Sequence, residues 1–544
     1  MMPDIQRRQF IAGSALGLGG LLLPGFRASA MVSFTTGFTH NVASGEPGPD
    51  TMLLWTRYVP AGAQDSVHLQ AEVAQDPAFA RIVAGGSVRT GAYRDWTAKI
   101  MVDGLEPGTV YWYRFVAPDG TKSPTGRTRT LPVLNVDRFG LALFSCSNLP
   151  FGWFNAYAHA AARDDVDLWL HVGDYLYEYE RGRYPSARNI VAGRVVEPAG
   201  EMIELADYRM RYACYRADPD LQRLHQIAPM IAQWDDHETA NDSWEGGAEN
   251  HQPATEGDWS RRRNASIQAF REWLPVSDEP WKSYPIGRLA TLYRTESRVL
   301  ARTRQIETSE VVRAMATPAA FEQFRERQLQ DPSATMLGSV QESWLAHMFR
   351  ANAKNSIWQI VGMGTNLGTK RVPEIVLDWL PKGSSAEDVA FWRGVVRSSQ
   401  LGAPSWNMDA WDGYPAARAR LLRAAQQADA DLVMLTGDSH NAWAYSLAED
   451  GRPAGVEFGG TSVTSPGMES DFTQDPLRVA RELVAANPEL QWADTSRRGY
   501  VMVEITSAAV SGEWIFMKTI RERTMAVSSR HRMSVDAGRR RFSA

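Results

Sequence analysis

Short runs of alternating hydrophobic and polar residues fill the chain from residue 33 to about residue 131. Alternation with a period of two, interrupted by Gly, Pro and Asp, predicts β-strands that bury one face. The predicted strands are 51–59, 67–74, 97–105 and 109–116. A Pro-Gly turn precedes the aromatic strand 109–116, which is typical of the corner of a fibronectin-type sandwich. The pattern therefore predicts an N-terminal all-β domain over residues 31–132.

From residue 138 the pattern changes to strands that alternate with helices, which is typical of an α/β domain. The predicted strands are 139–145, 166–174, 229–236, 289–296, 297–304, 356–364, 431–440, 498–506 and 511–520. The predicted helices are 155–164, 202–228 with a break at Pro219, 261–275, and a block within 310–350. Residues 239–259 are too polar and Gly-rich for regular structure, and so long a loop in a compact domain is usually functional. We expect a catalytic domain over 138–527 and a frayed basic tail over 528–544.

The composition is that of an ordinary soluble globular protein. The chain has 544 residues, 44% hydrophobic and 22% charged, with a net charge of −5, so two or more domains are expected and no nucleic-acid-binding surface is indicated. After the N-terminus, no stretch of about 18 uninterrupted apolar residues would span a membrane. The two cysteines, Cys146 and Cys214, permit one disulfide, but we expect Cys146 to serve as a metal ligand instead.

The N-terminal 30 residues indicate export. Arg7 and Arg8 precede a Gly-rich, mildly apolar run, and Ala28-Ser29-Ala30 offers a cleavage site. This arrangement resembles a twin-arginine signal peptide over residues 1–30. It predicts passage through the Tat translocase to the periplasm or the medium, whereas the alternative is a disordered basic tail.

Four predicted strands end in side chains that can bind a metal ion. The donors are Cys146 after the first strand, Asp174 after the second, Asp235, Asp236 and His237 after the third, and Asp438 and His440 after the fourth. If these strands are parallel and adjacent, the donors converge on a patch of about 10 Å, because neighbouring strands lie roughly 4.8 Å apart. Several carboxylates so close together repel one another unless cations lie between them.

Each donor, taken alone, also has an ordinary structural explanation. A buried cysteine is usually a small hydrophobic residue, and an aspartate after a strand is often a turn residue. A repeated arrangement favours the metal site instead. Asp174 and Asp438 each follow a strand and a glycine, with Tyr177 three residues after Asp174 and His440 two residues after Asp438.

The donor types separate into two predicted metal positions. Thiolate, phenolate and imidazole suit a ferric ion, whereas sites of carboxylate oxygens alone suit Ca²⁺, Mg²⁺ or Mn²⁺. The predicted ligands of Fe³⁺ are Cys146, Asp174, Tyr177 and His440. The predicted ligands of the divalent ion are Asp174, as a bridge, Asp236 and Asp438. Asp235 is either an additional ligand or a residue that supports the ligands, and His237 is expected to stabilise or protonate a leaving oxygen.

Six segments carry a family resemblance. They are SCSN (145–148), HVGDYLYEY (171–179), WDDHETANDSW (234–244), WDGYPAAR (411–418), GDSHNAW (437–443) and SVTSPG (462–467). Together, between Phe38 and Glu504, they resemble the PhoD-like alkaline phosphatases, which are calcineurin-like metallophosphoesterases with an N-terminal β-sandwich domain. The resemblance implies an α/β (α+β) core of two packed mixed β-sheets flanked by helices. It also implies an iron–calcium site and activity on phosphate mono- and diesters.

The sequence departs from the family pattern at two places. Residues 300–305 read LARTRQ, with Arg302 where the family commonly has an acid, and residues 362–368 read GMGTNLG where Gly-Gln-Gln is common. Both differences are expected to bear on the substrate pocket and not on the metal donors.

The predicted function is hydrolysis of phosphate esters by water that the two metals activate and aim in line at phosphorus, without a covalent enzyme intermediate. Arg211 and Arg216 are candidates for neutralising phosphate charge, or are simply exposed helix arginines. The expected partners are phosphate esters, as small molecules or polymers.

Two alternatives remain open. One is a dedicated phosphodiesterase that acts on lipid or polymer phosphodiesters. The other is an exported, non-catalytic binding protein that uses its metals only for structure.

Overall fold

The computed structural model describes residues 36–314, 317–401 and 407–543, so the predicted signal peptide lies outside the described residues. The strands of its first half are β1 (Gly37–Gly45), β2 (Met52–Val59), β3 (Ser66–Ala74), β4 (Ile82–Gly91), β5 (Thr97–Val102), β6 (Val110–Val116), β7 (Gly126–Arg129), β8 (Arg138–Phe144), β9 (Leu168–His171) and β10 (Met230–Ala232). Those of the second half are β11 (Lys282–Ile286), β12 (Ala290–Arg294), β13 (Trp358–Met363), β14 (Asp431–Thr436), β15 (Ala442–Glu449), β16 (Arg452–Gly459), β17 (Leu490–Asp494), β18 (Gly499–Thr506), β19 (Ala509–Met517) and β20 (Val527–Asp536).

The helices pack outside the sheets or connect their strands. They are α1 (Asn155–Ala161), α2 (Leu205–Arg216), α3 (Pro219–Ile227), α4 (Pro253–Glu256), α5 (Trp259–Trp273), α6 (Thr308–Ala314), α7 (Pro318–Phe324), α8 (Gly338–Asn352), α9 (Ala386–Gln400), α10 (Pro415–Gln427) and α11 (Pro476–Ala486). Short 3₁₀ turns occur at Ala92–Arg94, Leu149–Phe151, Glu374–Asp378, Trp411–Gly413 and Met468–Ser470, and a π-helical turn at Arg325–Leu329. The predicted break at Pro219 is confirmed: Asp218 caps α3, its carboxylate accepting from the N–H groups of Asp220 and Leu221.

Two large mixed sheets form the core of the molecule. One has the order β20-β19-β18-β8-β9-β10-β1-β2-β5 and the other β11-β12-β13-β14-β16-β15-β17. Residues from both sheets make a shared hydrophobic cluster, which includes Leu141, Leu170, Ile360 and Val433. Helices cover the opposite faces of both sheets, so the predicted core of two packed sheets flanked by helices is confirmed.

The strand β9 shows why this sequence folds as an inner strand. Leu168 and Leu170 face the cluster between the two sheets, and Trp169 faces the helix-covered side. All of its side chains are therefore buried, as expected of a parallel strand with two covered faces. Its neighbours β8 and β10 both run parallel to it.

The N-terminal strands form the predicted sandwich but are also joined to the core. A four-stranded sheet, β4-β3-β6-β7, packs on β1, β2 and β5 through one hydrophobic cluster. However, β1 also pairs in parallel with β10, at Gly45 and Met230. One continuous sheet therefore contains strands of both the N-terminal part and the core. The predicted domain boundary near residues 132–138 falls in the link between β7 and β8.

The expected fraying of the C-terminal tail is wrong, because residues 527–536 form the edge strand β20, paired with β19 along its length. Arg530 and Arg532 form ion pairs with Glu513 and Glu504 on the neighbouring strands. Arg530 and Arg532 thus lie on the solvated face of an edge strand, where charged side chains discourage further pairing. Beyond the strand, Arg540 pairs with Asp429 and Asp431.

The expected strand at 297–304 is also wrong. The buried carboxylate of Glu296 accepts hydrogen bonds from the backbone N–H groups of Arg298, Val299 and Leu300, at 2.8, 2.8 and 3.3 Å. These bonds fold the segment into a turn that begins directly after β12. A local carboxylate-capped turn therefore replaces the extended backbone that the apolar pattern predicted.

His40 should make stability depend on pH. Its ring is buried, with Nε2 3.1 Å from the carbonyl oxygen of Ala213. Burial, with the charges of Arg57 and Arg216, lowers the pKa of His40 to about 3. An unfolded chain protonates this histidine near pH 6.5 and the folded chain does not, so acidification favours unfolding, by about 2 kcal/mol at pH 5 from this group alone.

We therefore expect His40→Gln to reduce the loss of stability between pH 7.5 and pH 5, measured by denaturant unfolding at each pH. His68→Gln, at an exposed position on β3, controls for removal of an imidazole. Equal loss of stability in the wild type and His40→Gln would contradict this assignment.

Candidate metal centre

Four tight turns at the carboxyl ends of strands present the predicted donors. Cys146, Asp174, Asp438 and His440 all have left-handed backbone conformations, with φ between 54° and 63°. Such conformations cost non-glycine residues on the order of 1–3 kcal/mol each, and they concentrate at functional sites. The strained turns direct all four side chains away from the strand directions and toward one another.

The donors converge because two sheets meet at their carboxyl ends, not because four strands are adjacent in one sheet. The strands β8, β9 and β10 are neighbours in the nine-stranded sheet, but β14, which precedes Asp438, lies in the seven-stranded sheet. The expectation of a single sheet edge is thereby corrected.

Glycine makes this close approach possible at two positions. A Cβ atom at Gly437 would lie 2.7 Å from the Cβ of Ser145, across the sheet interface. One at Gly173, where φ is +114°, would lie 2.3 Å from the Cβ of Asp235. The strand-Gly-Asp repeat in the sequence therefore has a steric cause.

The first donor group contains Cys146, Asp174 and His440, whose potential ligand atoms all lie within 4.8 Å of one another. The hydroxyl of Tyr177 lies 3.0 Å from Asp174 Oδ2 and 3.1 Å from His440 Nε2. His440 Nδ1 donates to the carbonyl oxygen of Pro466 at 2.8 Å, which orients the ring and leaves Nε2 for the site. The structure thus brings together the four residues predicted to bind iron.

The second donor group adjoins the first through Asp174. Ligand atoms of Asp174, Asp236 and His237 lie within 4.8 Å of one another, as do those of Asp235, Asp236 and Asp438. Asp174 therefore belongs to both groups, as a bridging ligand would.

Two buried carboxylate oxygens indicate that this cluster fits cations. Asp174 Oδ1 and Asp438 Oδ2 have no hydrogen-bond partner among the described residues. Burial raises the pKa of Asp174 well above its usual range, and that of Asp438 is also raised. Burial and the charge of Asp174 raise the pKa of Cys146 and Tyr177 in the same way. Without added positive charge these groups retain protons, and a bound cation supplies that charge.

Asp235 has a different role from its neighbours, since Arg298 holds it. The guanidinium of Arg298 donates to both oxygens of Asp235, at 2.5 and 3.1 Å. The same group donates to both oxygens of Asp409, at 2.7 and 2.6 Å, and lies 3.9 Å from Asp236. The contacts favour Asp235 as a residue that supports the ligands.

His237 is oriented by a buried carboxylate. Its Nδ1 lies 2.7 Å from Glu178 Oε2, and its ring packs on that of Tyr177 with centroids 4.2 Å apart. Burial alone would lower the pKa of His237, but Asp236, Asp174 and Glu178 together raise it well above its usual value. A protonated His237 is suited to donate a proton to a leaving oxygen.

Sequence reasoning missed a third acidic group beside the second. Ligand atoms of Asp236, Asp242 and Asp409 lie within 4.8 Å of one another. Asp242 lies in the long loop that we expected to be functional, and Asp409 precedes the WDGYPAAR segment, so both segments carried a signal. Glu238 was also missed: its carboxylate accepts from the backbone N–H groups of Asp174 and Asp235 and so ties two donor turns together.

Arg302 lies beside this third group. Its guanidinium is buried and contacts Asp409 Oδ1 at 2.6 Å, and it also donates to the Tyr414 hydroxyl. Arg302 therefore binds Asp409, a carboxylate next to the predicted donors.

The alternative of exposed helix arginines is wrong, because Arg211 and Arg216 are both buried. Their guanidinium groups have contacts other than the donor cluster. The guanidinium of Arg211 donates to the backbone carbonyl oxygens of Tyr177, Tyr179, Glu197, Pro198 and Gly200. That of Arg216 lies over the ring of Trp55, 4.3 Å from its centroid. Arg211 therefore fixes the loop around Tyr177, and Arg216 packs beneath the N-terminal strands.

Cys146 and Cys214 are both free, as expected if Cys146 is a ligand. Among the described residues, no helix is long and apolar enough to cross a membrane.

Comparisons with known proteins agree with this architecture. The family model described as PhoD-like phosphatase matches residues 141–514, and the model of the PhoD-like phosphatase N-terminal domain matches residues 27–132. Alkaline phosphatase D of Bacillus subtilis (strain 168) is 32% identical over 548 residues, covering 97% of this chain and 86% of that protein. A solved structure described as "Structure of PhoD" superimposes with a TM-score of 0.77 at 27% identity, covering 96% of this chain and 93% of that one.

The fold and the similarity to these phosphatases together identify the chain as a phosphoric ester hydrolase. More narrowly, the chain belongs to the PhoD-like phosphatase family. The resemblance inferred from the six sequence segments is confirmed.

Removing Arg298 should destabilise the protein strongly. Arg298→Met leaves Asp235 buried without its counter-charge and leaves Asp409 paired with Arg302 alone. Breaking a buried ion pair in this way costs about 3–5 kcal/mol. Denaturant unfolding measures the loss. Arg423→Met is the matched control, because Arg423 is 46% exposed where it pairs with Asp450 and should contribute less than about 1 kcal/mol. Similar losses in both variants would contradict the buried network.

Proposed function

We propose that this protein is an exported phosphoesterase that hydrolyses phosphate mono- and diesters at a site for iron and a divalent cation. Its export rests on the twin-arginine pattern at residues 1–30. The single observation that carries the metal site is the placement of Asp174, whose carboxylate belongs to two adjoining donor groups.

The donor sets support one cation of each kind. Cys146, Asp174, Tyr177 and His440 offer sulfur, oxygen and nitrogen ligands that suit Fe³⁺. Asp174, Asp236 and Asp438 offer carboxylate oxygens that suit Ca²⁺, or Mn²⁺ or Mg²⁺ in its place. When bound, such cations neutralise phosphate charge and activate water.

The chain's own residues account for the remaining tasks of the reaction. His237, whose ring Glu178 orients, is placed to donate a proton to the leaving oxygen. Glu238 and Arg298 keep the donor turns in place, so that the substrate meets a preorganised site. Burial of the cluster excludes bulk water and strengthens these electrostatic interactions.

A panel of phosphoesters with metal analysis tests the function. We expect the purified holoprotein to hydrolyse both p-nitrophenyl phosphate and bis-p-nitrophenyl phosphate, and to lose both activities after chelation while remaining folded by circular dichroism. Turnover of the diester alone would identify a dedicated phosphodiesterase. No turnover, together with unfolding on metal loss, would identify a binding protein that uses its metals for structure.

Changes at Asp174 and Tyr177 test the two metal positions. Replacing residues that only support metal ligands typically costs 10–100-fold, so Asp174→Asn at the bridge should lower kcat/KM by more than about 100-fold. The control is Asp278→Asn, because that side chain is 83% exposed and away from the cluster. Ferric iron bound by the Tyr177 phenolate and the Cys146 thiolate should give visible charge-transfer absorption. Tyr177→Phe should remove the phenolate contribution and leave that of the thiolate. An active, iron-free and colourless wild type would refute the iron assignment.

A further inference from the structure

A cavity of about 240 Å³ lies beside the metal centre. Its walls include the rings of Tyr177, Tyr179, Tyr184 and Tyr215. Ile190 and Val195 also line it, and Val195 is 39% exposed, so an apolar rim faces solvent. Nothing in the reaction described above uses this space.

Tyr177 connects the cavity with the metal donors. Its hydroxyl contacts Asp174 and His440, while its ring forms part of the cavity wall and packs near the ring of Tyr184, with centroids 5.7 Å apart. Asn148, two residues after Cys146, lines the same cavity. The cavity therefore lies directly beside the position that a phosphate ester would occupy at the donors, with Tyr177 between them.

Two residues of the cavity lining, Asn148 and Arg194, each carry a buried polar atom without a partner among the described residues. Asn148 Oδ1 and Arg194 Nη2 have no hydrogen-bond partner within the described part of the chain. Asn148 is fully buried and Arg194 is 5% exposed. Unpaired buried groups cost free energy, so a ligand gains affinity if its binding turns these side chains toward it and pairs with them. Asn148 Oδ1 would accept a hydrogen bond and Arg194 Nη2 would donate one.

The size and chemistry of the cavity limit its occupant. An apolar cavity of about 150 Å³ holds a benzene molecule, so this larger space accommodates a substituted or fused ring. Tyrosine side chains favour ring contacts through offset or edge-to-face packing. A small alcohol such as ethanol or glycerol would leave most of these surfaces in contact with water.

We propose that the cavity is a subsite for the leaving alcohol of the substrate, and that it selects esters of ring-bearing, mainly apolar alcohols. This inference rests on the proposed phosphoesterase site. Water forms the new bond to phosphorus as the bond to the ester oxygen breaks, and that oxygen takes up a proton. The neutral alcohol then occupies the cavity, where a polar substituent pairs with Asn148 Oδ1 or Arg194 Nη2.

Kinetics on ethyl, benzyl and 2-naphthylmethyl phosphate test the selectivity, because these leaving alcohols have similar acidity and differ mainly in size and apolar area. We expect kcat/KM to rise along the series. Ile190→Trp narrows the cavity and should lower the ratio of kcat/KM for the naphthylmethyl ester to that for the ethyl ester by about tenfold. Val340→Trp adds the same side chain at a position 70% exposed on α8 and should leave the ratio unchanged.

Calorimetry with 2-naphthylmethanol separates the subsite from turnover. The wild-type holoprotein should bind one equivalent, Val340→Trp should bind equally, and Ile190→Trp should bind at least about tenfold more weakly. Val195→Trp replaces Ile190→Trp if near-UV circular dichroism shows that the latter is misfolded.

The outcomes distinguish this inference from the function on which it rests. Hydrolysis of all three esters without a size preference, or alcohol binding that both cavity variants retain, overturns the subsite while the phosphoesterase stands. Alcohol binding without hydrolysis of any ester refutes the proposed function and, with it, the assignment of the cavity to a leaving group.

Discussion

The repulsion among buried carboxylates is the constraint on which the rest of this structure depends. Unit charges about 4 Å apart interact with ~4 kcal/mol at an effective dielectric constant of 20. Asp236 has a carboxylate oxygen within 4.8 Å of one on Asp174 and of one on Asp438. Arg298 offsets part of the charge at Asp235 and Asp409. Burial, together with the charges of Asp236 and Asp235, raises the pKa of Asp174, so that the cluster favours a bound cation.

The apolar packing of the protein holds this unfavourable cluster in place, and that packing does not depend on the cluster. The two large sheets bury an apolar interface that does not involve the site, and helices cover their outer faces. That packing stabilises the left-handed turns at Cys146, Asp174, Asp438 and His440, which a less rigid framework would relax. Local strain and charge repulsion are therefore confined to the edge where the sheets meet.

Around the donors, each supporting residue performs one identifiable task. Glu178 orients His237, Glu238 ties two donor turns together, and Arg211 holds the loop after Tyr177 through backbone carbonyl oxygens. Tyr177 faces the donors with its hydroxyl and the adjoining cavity with its ring. The same loop therefore contributes to both the donor cluster and the cavity wall.

The sequence by itself determined the features that depend on local patterns. Apolar runs ending in Gly-Asp predicted the inner strands and their donors, and Pro219 predicted the division between α2 and α3, because strand burial and helix breaking are decided by a few neighbouring residues. Only the tertiary structure decided which sheet β14 joins and how the basic tail pairs with β19. It also decided that Arg298 enters the site and that Arg211 and Arg216 do not. These outcomes depend on burial and on contacts between segments that are far apart in the chain. A local sequence pattern does not specify which distant residue will pair with an edge strand or bind a guanidinium group.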